Sequence, residues 1–365
     1  MPRSTRNTAD LPLHGGKAPR WLFNRMVELA LVITDYILTE YGPDELLKRL
    51  TDPFWFQSLG CVLGFDWHSS GLTTTTCGAL KIALADLGPN AGLYAVGGKG
   101  AASRKIPTEL AALADAVGFS PDAFIYTSRM TAKVDSAGLQ DGYQVYHQLF
   151  LFIPSSSQWV VIDQGMNTGR GWARRYHWGS DQLPSFVIDP HAAIEGRRGL
   201  DVLNMVSSDS VGSQGRSVEI ANDVPHFRKE FMRIRHLELP AHHRINLSDL
   251  DSKRVQRVFL KTFEKPPQDF EHLLASPGVG PATIRALALV SQIIFGEKPS
   301  FEDPVSFSFA HGGKDGTPFP VNRKTYDHTI SYFSNALKRS KLGHTEENQA
   351  LHRLSRWLEE VSVGR

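Results

Sequence analysis

Cysteine is scarce in this sequence, and long apolar runs are missing. The two cysteines, Cys61 and Cys77, cannot form a disulfide framework or a four-thiolate zinc site. Two buried thiols in a reducing compartment are the simpler interpretation. No window holds the roughly 18 uninterrupted apolar residues of a membrane-spanning helix, and the N-terminus lacks the apolar core of a signal peptide. We therefore expect a cytoplasmic protein with no membrane partner.

The sequence also lacks a dominant charge of one sign. Its 40 basic and 38 acidic residues give a formal net charge of +2, so the protein is no histone-like polycation. Any surface for nucleic acid must come from local clustering. One such cluster lies at 226–261, where nine lysines or arginines accompany four acidic residues. A solvated helix face would show the same composition, but we favour a stripe that follows phosphates, with Arg254 and Arg257 as candidate DNA contacts.

Apolar periodicity predicts helices and strands in the N-terminal part. Leu22 and Ile37 bound a series of apolar residues spaced by three to four, which predicts a helix that ends at Gly42. Two apolar runs, 143–153 and 159–164, flank a Pro-Ser-Ser-Ser turn, which predicts a hairpin of two strands. This part of the chain is therefore expected to mix helices and strands.

The chain is expected to divide near residues 206–224, which are rich in serine and glycine, as a linker or mobile loop would be. Beyond them the pattern is helical. We predict an α+β protein: a mixed α/β domain over 1–205 that carries the catalytic site, a linker over 206–224, and a mostly helical DNA-binding domain over 225–365 that contains a helix-hairpin-helix.

The strongest motif is this helix-hairpin-helix, centred on Gly278, Val279 and Gly280. Two glycines permit a tight turn with positive φ, and the proline that follows can start the next helix. Val279 is expected to anchor the turn in the core. Backbone N–H groups where the second helix starts, including those of Ala282 and Thr283, can bind a phosphate oxygen. The alternative is a plain glycine turn between helices; the flanking residues favour DNA-backbone binding without reading of sequence.

A candidate catalytic cluster begins just before the predicted hairpin of strands. Asp135, Asp141 and His147 are spaced by six, at a predicted helix end, a turn and a strand. Such a path can bring two carboxylates and an imidazole around one divalent ion, Mg²⁺ or Mn²⁺, as metal-dependent phosphodiester cleavage requires. Lys133 can neutralise charge on the phosphate. The alternatives are a hydrogen-bonded core histidine and ordinary helix-end and turn aspartates.

Other polar segments supply further candidates. Gly-Gly-Lys occurs three times, the first time directly after His14 and ending at Lys17, but no copy matches a Walker A motif. Asp66 and His68 precede a hydroxyl-rich helix start, which can bind phosphate or simply cap itself. We take these four residues as additional candidate catalytic residues.

Arginines alternate with aromatic residues at 170–178. Arg174 and Arg175 lie in this stretch between tryptophans and a tyrosine. The pattern suits unstacked bases and backbone phosphates, so both arginines are candidate DNA contacts. Partly buried aromatic residues would give the same pattern.

Six short motifs are distributed along the chain: DLPLHGGKAP at 10–19, FDWHSSG at 65–71, QDGYQ at 140–144, QGMN at 164–167, PAHH at 240–243 and FAHGGKDG at 309–316. Together they resemble the domain-of-unknown-function family 763, over nearly the whole chain. The resemblance implies a prokaryotic DNA-processing protein with a helix-hairpin-helix, for which a nuclease role is the usual suspicion. In the family pattern the position of Asp163 is often glutamine, which favours Gln164 over Asp163 as a catalytic residue.

The leading hypothesis is a metal-dependent DNA nuclease that cuts the phosphodiester backbone, as in DNA repair. A helix-hairpin-helix DNA glycosylase is the first alternative, because residues 277–303 resemble its signature. Ala282, however, stands where a lyase-type enzyme carries lysine, and Asp303 comes later than the usual catalytic aspartate. A non-catalytic DNA-binding protein is the second alternative. Sensitivity to a chelator separates nuclease from glycosylase, and the sequence leaves the oligomeric state, including a homodimer, open.

Overall fold

A computed structural model describes residues 11–13, 18–65, 69–200, 202–223 and 265–305, together with 331–333, 335 and 349–354. Its strands are β1 (Tyr94–Lys99), β2 (Leu139–Gln140), β3 (Gln144–Ile153), β4 (Gln158–Asn167), β5 (Trp172–Gly179), β6 (Ala193–Glu195) and β7 (Leu203–Asn204). Five of them form an antiparallel sheet in the order β1-β3-β4-β5-β6, and β2 pairs with β7 in a separate ladder.

Helices cover both faces of the five-stranded sheet. They are α1 (Arg20–Tyr41), α2 (Pro43–Leu50), α3 (Pro53–Leu63), α4 (Ser70–Leu87), α5 (Ile106–Val117), α6 (Asp122–Lys133), α7 (Val211–Asn222), α8 (Phe270–Ala275) and α9 (Pro281–Val290). A π-helical turn, Val134–Gly138, follows α6. Helices and antiparallel sheet confirm the predicted α+β class. Within the described ranges, no helix is long and apolar enough to cross a membrane.

The sheet separates two hydrophobic cores. On what we call the first face, helices α1 to α4 cover Leu149 and Leu151 of β3. On the second face, helices α5 to α9 cover Phe150 and Phe152 of the same strand. Successive side chains of a strand point to opposite faces. A strand covered on both sides therefore reads as a continuous apolar run, as β3 does over its second half.

Two local predictions are confirmed. β3 and β4 pair as a hairpin with Ile153 opposite Gln158, and Ser157 closes the turn with a φ of 58°. α1 ends before Gly42, whose φ is 83°, and Pro43 then starts α2. Glycine adopts positive φ without a steric penalty, and proline has a φ suited to the first position of a helix. Both signals are local, so the sequence alone reveals them.

The linker predicted over 206–224 is wrong for residues 211–222, which form α7. Ser213, Ser217 and Ile220 of this helix are buried, and the helix contacts α9. The Ser217 hydroxyl donates to the Ser213 carbonyl at 2.7 Å. A serine that bonds back to the carbonyl four residues earlier can be buried within a helix, so serine enrichment here reflects close packing.

The described residues of the predicted C-terminal domain contribute to both cores. Val279 and Leu287 belong to the core on the second face, whereas Phe333 and Leu354 belong to the core on the first face. The Phe333 ring stacks on Trp55, with centroids 5.3 Å apart. The predicted boundary at 206–224 therefore does not coincide with a separation of the hydrophobic cores.

Candidate functional site

The structure does not bring the three predicted metal ligands together. Asp135 and Asp141 bond to side chains on the second face, whereas His147 lies opposite Gln164 on the first face. Within the described ranges, no group of three or more His, Cys, Asp or Glu side chains is placed to hold a metal ion. The predicted ligand set of Asp135, Asp141 and His147 is therefore corrected, because a sheet separates the imidazole from both carboxylates.

Asp135 lies in the π-helical turn after α6 and forms a buried pair of carboxyl groups with Asp163. Its Oδ2 accepts from Trp178 Nε1 at 3.1 Å, and its Oδ1 lies 2.5 Å from His191 Nε2. Gln148 Nε2 donates to Asp163 Oδ2 at 3.2 Å. Burial raises the pKa of both carboxyl groups, and the hydrogen bond with Asp135 raises that of Asp163 further. These raised pKa values favour one proton bound between the two carboxyl groups, with Asp163 as the protonated partner.

Asp141 belongs to a buried ion-pair network. Arg174 Nη1 donates to Asp141 Oδ2 at 2.8 Å, and Arg174 also binds the two oxygens of Asp303 at 3.1 and 2.7 Å. The Tyr176 hydroxyl donates to the same Asp141 oxygen at 2.7 Å, and the Tyr143 N–H donates to the other at 3.0 Å. Arg174 is fully buried, so the prediction that it contacts DNA is wrong. We call Asp135, Asp141, Asp163, Arg174 and Asp303 the acid cluster.

A single row of polar residues crosses all five strands on the first face. Successive members lie directly opposite one another in the strand registers, from Lys99 through His147, Gln164 and Arg175 to Glu195. Such neighbours share a face, with Cβ atoms roughly 5 Å apart. Lys99 is exposed, whereas the other four are at most 1% exposed. We call these five residues the polar row.

The His147 ring makes no hydrogen bond to any described residue. Both nitrogens of its ring are buried, and neither has a hydrogen-bond partner in the structure as described. Burial, and then the charge of Lys99, lower its pKa to about 3, so the ring is neutral near pH 7. A neutral imidazole offers one N–H donor and one acceptor nitrogen. His147 is therefore a buried histidine without a hydrogen-bond partner among the described residues.

The N-terminus of α4 abuts the polar row. Gln164 Nε2 donates to the Ser70 carbonyl at 2.9 Å and to the Tyr146 hydroxyl at 2.5 Å, while Gln164 Oε1 has no partner among the described residues. Ser69 precedes the helix, is buried, and makes no side-chain cap; its hydroxyl is likewise unpartnered within the described ranges. An imidazole, an amide oxygen and a hydroxyl are thus left with unused hydrogen-bonding capacity beside one helix start.

Arg175 and Glu195 form a buried ion pair at the inner end of the polar row. Arg175 Nη2 donates to Glu195 Oε2, and its Nη1 donates to the Thr73 hydroxyl at 3.1 Å. Burial raises the pKa of Glu195 to about 7, against the opposing effect of Arg175. Arg175 is fully buried, so the prediction that it contacts DNA is wrong. Sequence reasoning missed Glu195.

The predicted hairpin is an exposed turn between α8 and α9. Gly278 has a φ of 90° and is exposed, as is Pro281, whereas Val279 is 1% exposed and lies in the core as expected. Lys133 Nζ donates to the Val279 carbonyl, and Gln140 Nε2 donates to the Pro281 carbonyl at 3.1 Å. The carbonyls of the turn therefore point toward the rest of the protein.

We call residues 276–283 the glycine turn. Gly280 stands at the N-cap of α9 with extended backbone, φ −151° and ψ −172°. The N–H groups of Gly280, Ala282 and Thr283 find no hydrogen-bond partner in the part of the chain that the structure describes. The turn thus presents unpaired amide donors at the start of a ten-residue helix.

The predicted site residues have four different outcomes. His147, Gln164 and Arg175 come together on the polar row, and Lys133 lies at the glycine turn. The carboxylates lie in the acid cluster. The remaining predicted residues fall outside the described residues: His14, Lys17, Asp66, His68, Arg254 and Arg257.

Comparison with known proteins defines the family. The pattern of the family described as "Protein of unknown function (DUF763)" matches residues 7–321. This match spans most of the chain, so the protein belongs to that family, and the resemblance inferred from the six motifs is confirmed. No curated protein and no solved structure matches the sequence.

Proposed function

We propose that this protein is a DNA-binding protein that holds the sugar-phosphate backbone at the glycine turn, a helix-hairpin-helix. The supporting observation is the polarity of the turn. The carbonyls of Val279 and Pro281 accept hydrogen bonds from protein side chains, and the N–H groups of Gly280, Ala282 and Thr283 are free within the described structure. Free amides at the positive end of a helix favour a phosphate oxygen.

The glycine turn is held in place before any ligand arrives. Val279 inserts into the second-face core. Gln140 links the turn to α9, because its Nε2 donates to the Pro281 carbonyl while its Oε1 accepts from Arg285 Nη1 at 2.7 Å. Arg129, exposed on α6, lies one helical turn before Lys133 and adds positive charge to this region. Contacts of this kind position a protein on DNA without reading its sequence.

A substitution at the N-cap of α9 tests this proposal. Gly280 has extended backbone, and no atom lies within 4 Å of the position that a Cβ would take, so Gly280→Asp fits without strain. The aspartate is a good N-cap, hence the fold is retained, but its carboxylate occupies the free amides and repels phosphate. We expect DNA affinity to fall about tenfold or more in fluorescence anisotropy, and the salt slope to fall by about 0.9 per lost duplex phosphate contact.

Two matched variants control this test. Gly280→Ala adds a side chain without charge, and Gly215→Asp adds the same charge at an exposed position in α7 with open space around it. Both should bind DNA of unrelated sequences nearly as the wild type does. Unchanged affinity in a folded Gly280→Asp variant would show that the glycine turn is not the DNA contact.

A DNA nuclease is the second candidate function, and the polar row favours it. Hydrolysis of a phosphodiester needs a base for the attacking water and positive charge near the phosphate oxygens. The candidates are the ring of His147, whose nitrogens have no partner among the described residues, and the ammonium of Lys99, although burial makes this imidazole a weaker base than usual. Participation of Mg²⁺ or Mn²⁺ stays a prediction. Asp303 gives no support to the glycosylase alternative, because Arg174 binds both of its oxygens.

Labelled single- and double-stranded DNA, incubated with Mg²⁺, Mn²⁺ or a chelator, tests the nuclease proposal. We expect His147→Gln to abolish cleavage while DNA affinity is kept, because the base is lost but the glycine turn is intact. His352→Gln, at an exposed position, serves as the control. A His147→Gln variant that cuts as fast as wild type contradicts this assignment. Base excision that survives chelation would favour the glycosylase instead.

A further inference from the structure

We propose that the polar row and the N-terminus of α4 form a phosphate-binding site, separate from the glycine turn. The groups that would contact the phosphate are the side chains of Ser69, His147 and Lys99, together with the Gly71 amide in the first turn of α4, where the Ser70 and Leu72 N–H groups are already bonded to carbonyls. The site lies on the first face of the sheet, whereas the glycine turn belongs to the second-face layer. Phosphate binding here does not depend on the proposed DNA contact.

Several unpartnered polar atoms lie on residues at or next to the start of α4. Ser69 Oγ, Gln164 Oε1 and both ring nitrogens of His147 are buried without a hydrogen-bond partner among the described residues. Each buried unsatisfied group costs about 1–3 kcal/mol, and native proteins leave few of them. Four such atoms beside one helix start indicate a place built for a polar ligand.

The side chains that carry these atoms are neighbours in the fold. His147 and Gln164 lie directly opposite each other on neighbouring strands. The Gln164 amide reaches the Ser70 carbonyl at 2.9 Å, which places it at the first residue of α4. Ser69 adjoins this residue, and its side chain makes no cap. Gln164 and Ser69 therefore meet at the N-terminal end of an 18-residue helix, and His147 is the cross-strand neighbour of Gln164.

The charges at the exposed end of the polar row indicate the sign of the ligand's charge. Lys99 is the exposed end of the polar row, with its ammonium 5.7 Å from the centroid of the Tyr146 ring. The helix N-terminus carries roughly half a positive charge. The acidic member of the row, Glu195, is already paired with Arg175. Positive charge is thus in excess at the open end of the row, which favours an anion over a metal cation.

The chemistry of the donors selects phosphate among the anions. A neutral imidazole and a hydroxyl can each donate one hydrogen bond, and the Gly71 amide at the helix start can donate another. Phosphate offers several acceptor oxygens to such a set, and a lysine meets it as a point charge. The phosphate can belong to inorganic phosphate, a nucleotide or a nucleic-acid strand, which share this chemistry.

Titration calorimetry and thermal unfolding of the full chain test the site. The ligands are inorganic phosphate, thymidine 5′-monophosphate and a short single-stranded oligonucleotide, each against sodium chloride of equal ionic strength. We expect at least one phosphate ligand to bind and raise the Tm. Lys99→Met and Ser69→Ala should each weaken that binding about tenfold. Lys105→Met, which removes the same charge at an exposed position nearby, should leave it unchanged.

Two readouts separate a ligand site from a structural role. Without phosphate, Ser69→Ala should unfold at the wild-type temperature or higher, because it removes an unsatisfied hydroxyl; a structural serine would lower the Tm. Gly280→Asp should bind phosphate as wild type does, even if it loses DNA, so the two proposals can fail separately. The inference is overturned if no phosphate ligand binds, if Mn²⁺ binds in its place, or if Lys99→Met and Ser69→Ala bind phosphate like Lys105→Met.

Discussion

The two faces of the central sheet both bury polar side chains, but they differ in how those side chains are satisfied. In the acid cluster on the second face, both carboxylate oxygens of Asp135, Asp141 and Asp303 have hydrogen-bond partners, and the unpartnered atoms among the described residues are Asp163 Oδ1 and Arg174 Nε. In the polar row on the first face, His147 and Gln164 keep unpartnered atoms within the described structure. A satisfied buried network specifies a core, whereas an unsatisfied one indicates room for a ligand.

Because of this difference, the carboxylates are less suited to bind a ligand than their residue type suggests, and the uncharged polar side chains are more suited. Carboxylates spaced along a chain are the usual candidates for metal chemistry, yet here Arg174 neutralises Asp141 and Asp303. Burial raises the pKa of both Asp135 and Asp163, which favours a proton on this pair in place of a cation. On the opposite face, the uncharged side chains of Ser69, His147 and Gln164 keep unused hydrogen-bonding capacity among the described residues. The comparison can be tested by disturbing each face in turn.

The largest effect is expected from Arg174→Met. Removal of the guanidinium leaves the carboxylates of Asp141 and Asp303 buried without their cation, and breaking a buried ion pair in this way costs about 3–5 kcal/mol. Urea unfolding at constant pH measures the loss. Arg129→Met, at an exposed position, is the control and should change stability by less than about 0.5 kcal/mol. A loss below about 1 kcal/mol for Arg174→Met would show that the acid cluster is not a structural network.

A smaller effect is expected from the shared proton of Asp135 and Asp163. Burial raises the folded-state pKa of both above the ordinary value of 3.8. The folded protein then binds more protons than the unfolded chain, so stability falls as pH rises from about 4 toward the raised pKa, by at most about 1.4 kcal/mol per pH unit and proton. Asp163→Asn cannot titrate and can still donate to Asp135, so the variant should lose less stability between pH 5 and 8.

Unfolding free energies of wild type and Asp163→Asn, measured at several pH values, check the direction of this pH dependence. Asp115→Asn, at an exposed position in α5, should keep the wild-type pH dependence. If the unfolding free energy of Asp163→Asn falls as steeply with rising pH as that of wild type, the proton is not shared by this pair.

Local signals in the sequence predict much of the fold. The apolar spacing before Gly42 and the Pro-Ser-Ser-Ser turn depend on residues close in the chain, and α1 and the β3–β4 hairpin follow from them. Serine enrichment misled the prediction over 211–222, because burial of Ser217 in α7 depends on helix α9, which is distant in sequence. The composition of a segment does not reveal which other elements pack against it.

The metal site failed for a reason that sequence spacing cannot show. A continuous strand would place Tyr143, Val145 and His147 on one face, but a bulge between Val145 and His147 changes the register. Val145 lies opposite Gly165 and His147 opposite Gln164, so the two point to opposite faces. A bulge is a property of strand pairing, and it moves the imidazole away from Asp141.

Glu195 could have been anticipated in part. Two consecutive arginines in a strand must point to opposite faces, and in a sheet covered on both sides each needs a buried carboxylate. Arg174 finds Asp141 and Asp303, and Arg175 finds Glu195. The pattern predicts that partners exist. Their identity requires the register of β5 with β6.

Imidazole ¹H–¹⁵N spectra of the full chain, recorded during a titration with inorganic phosphate, test the central claim most directly. His147 of the polar row and His191, which contacts Asp135 of the acid cluster, report on the two faces in one experiment, and burial lowers the pKa of both to about 3. The account predicts that the His147 resonances show a neutral ring and shift on addition of phosphate, while those of His191, bonded to Asp135, stay in place. A shift at His191 with none at His147 would contradict it.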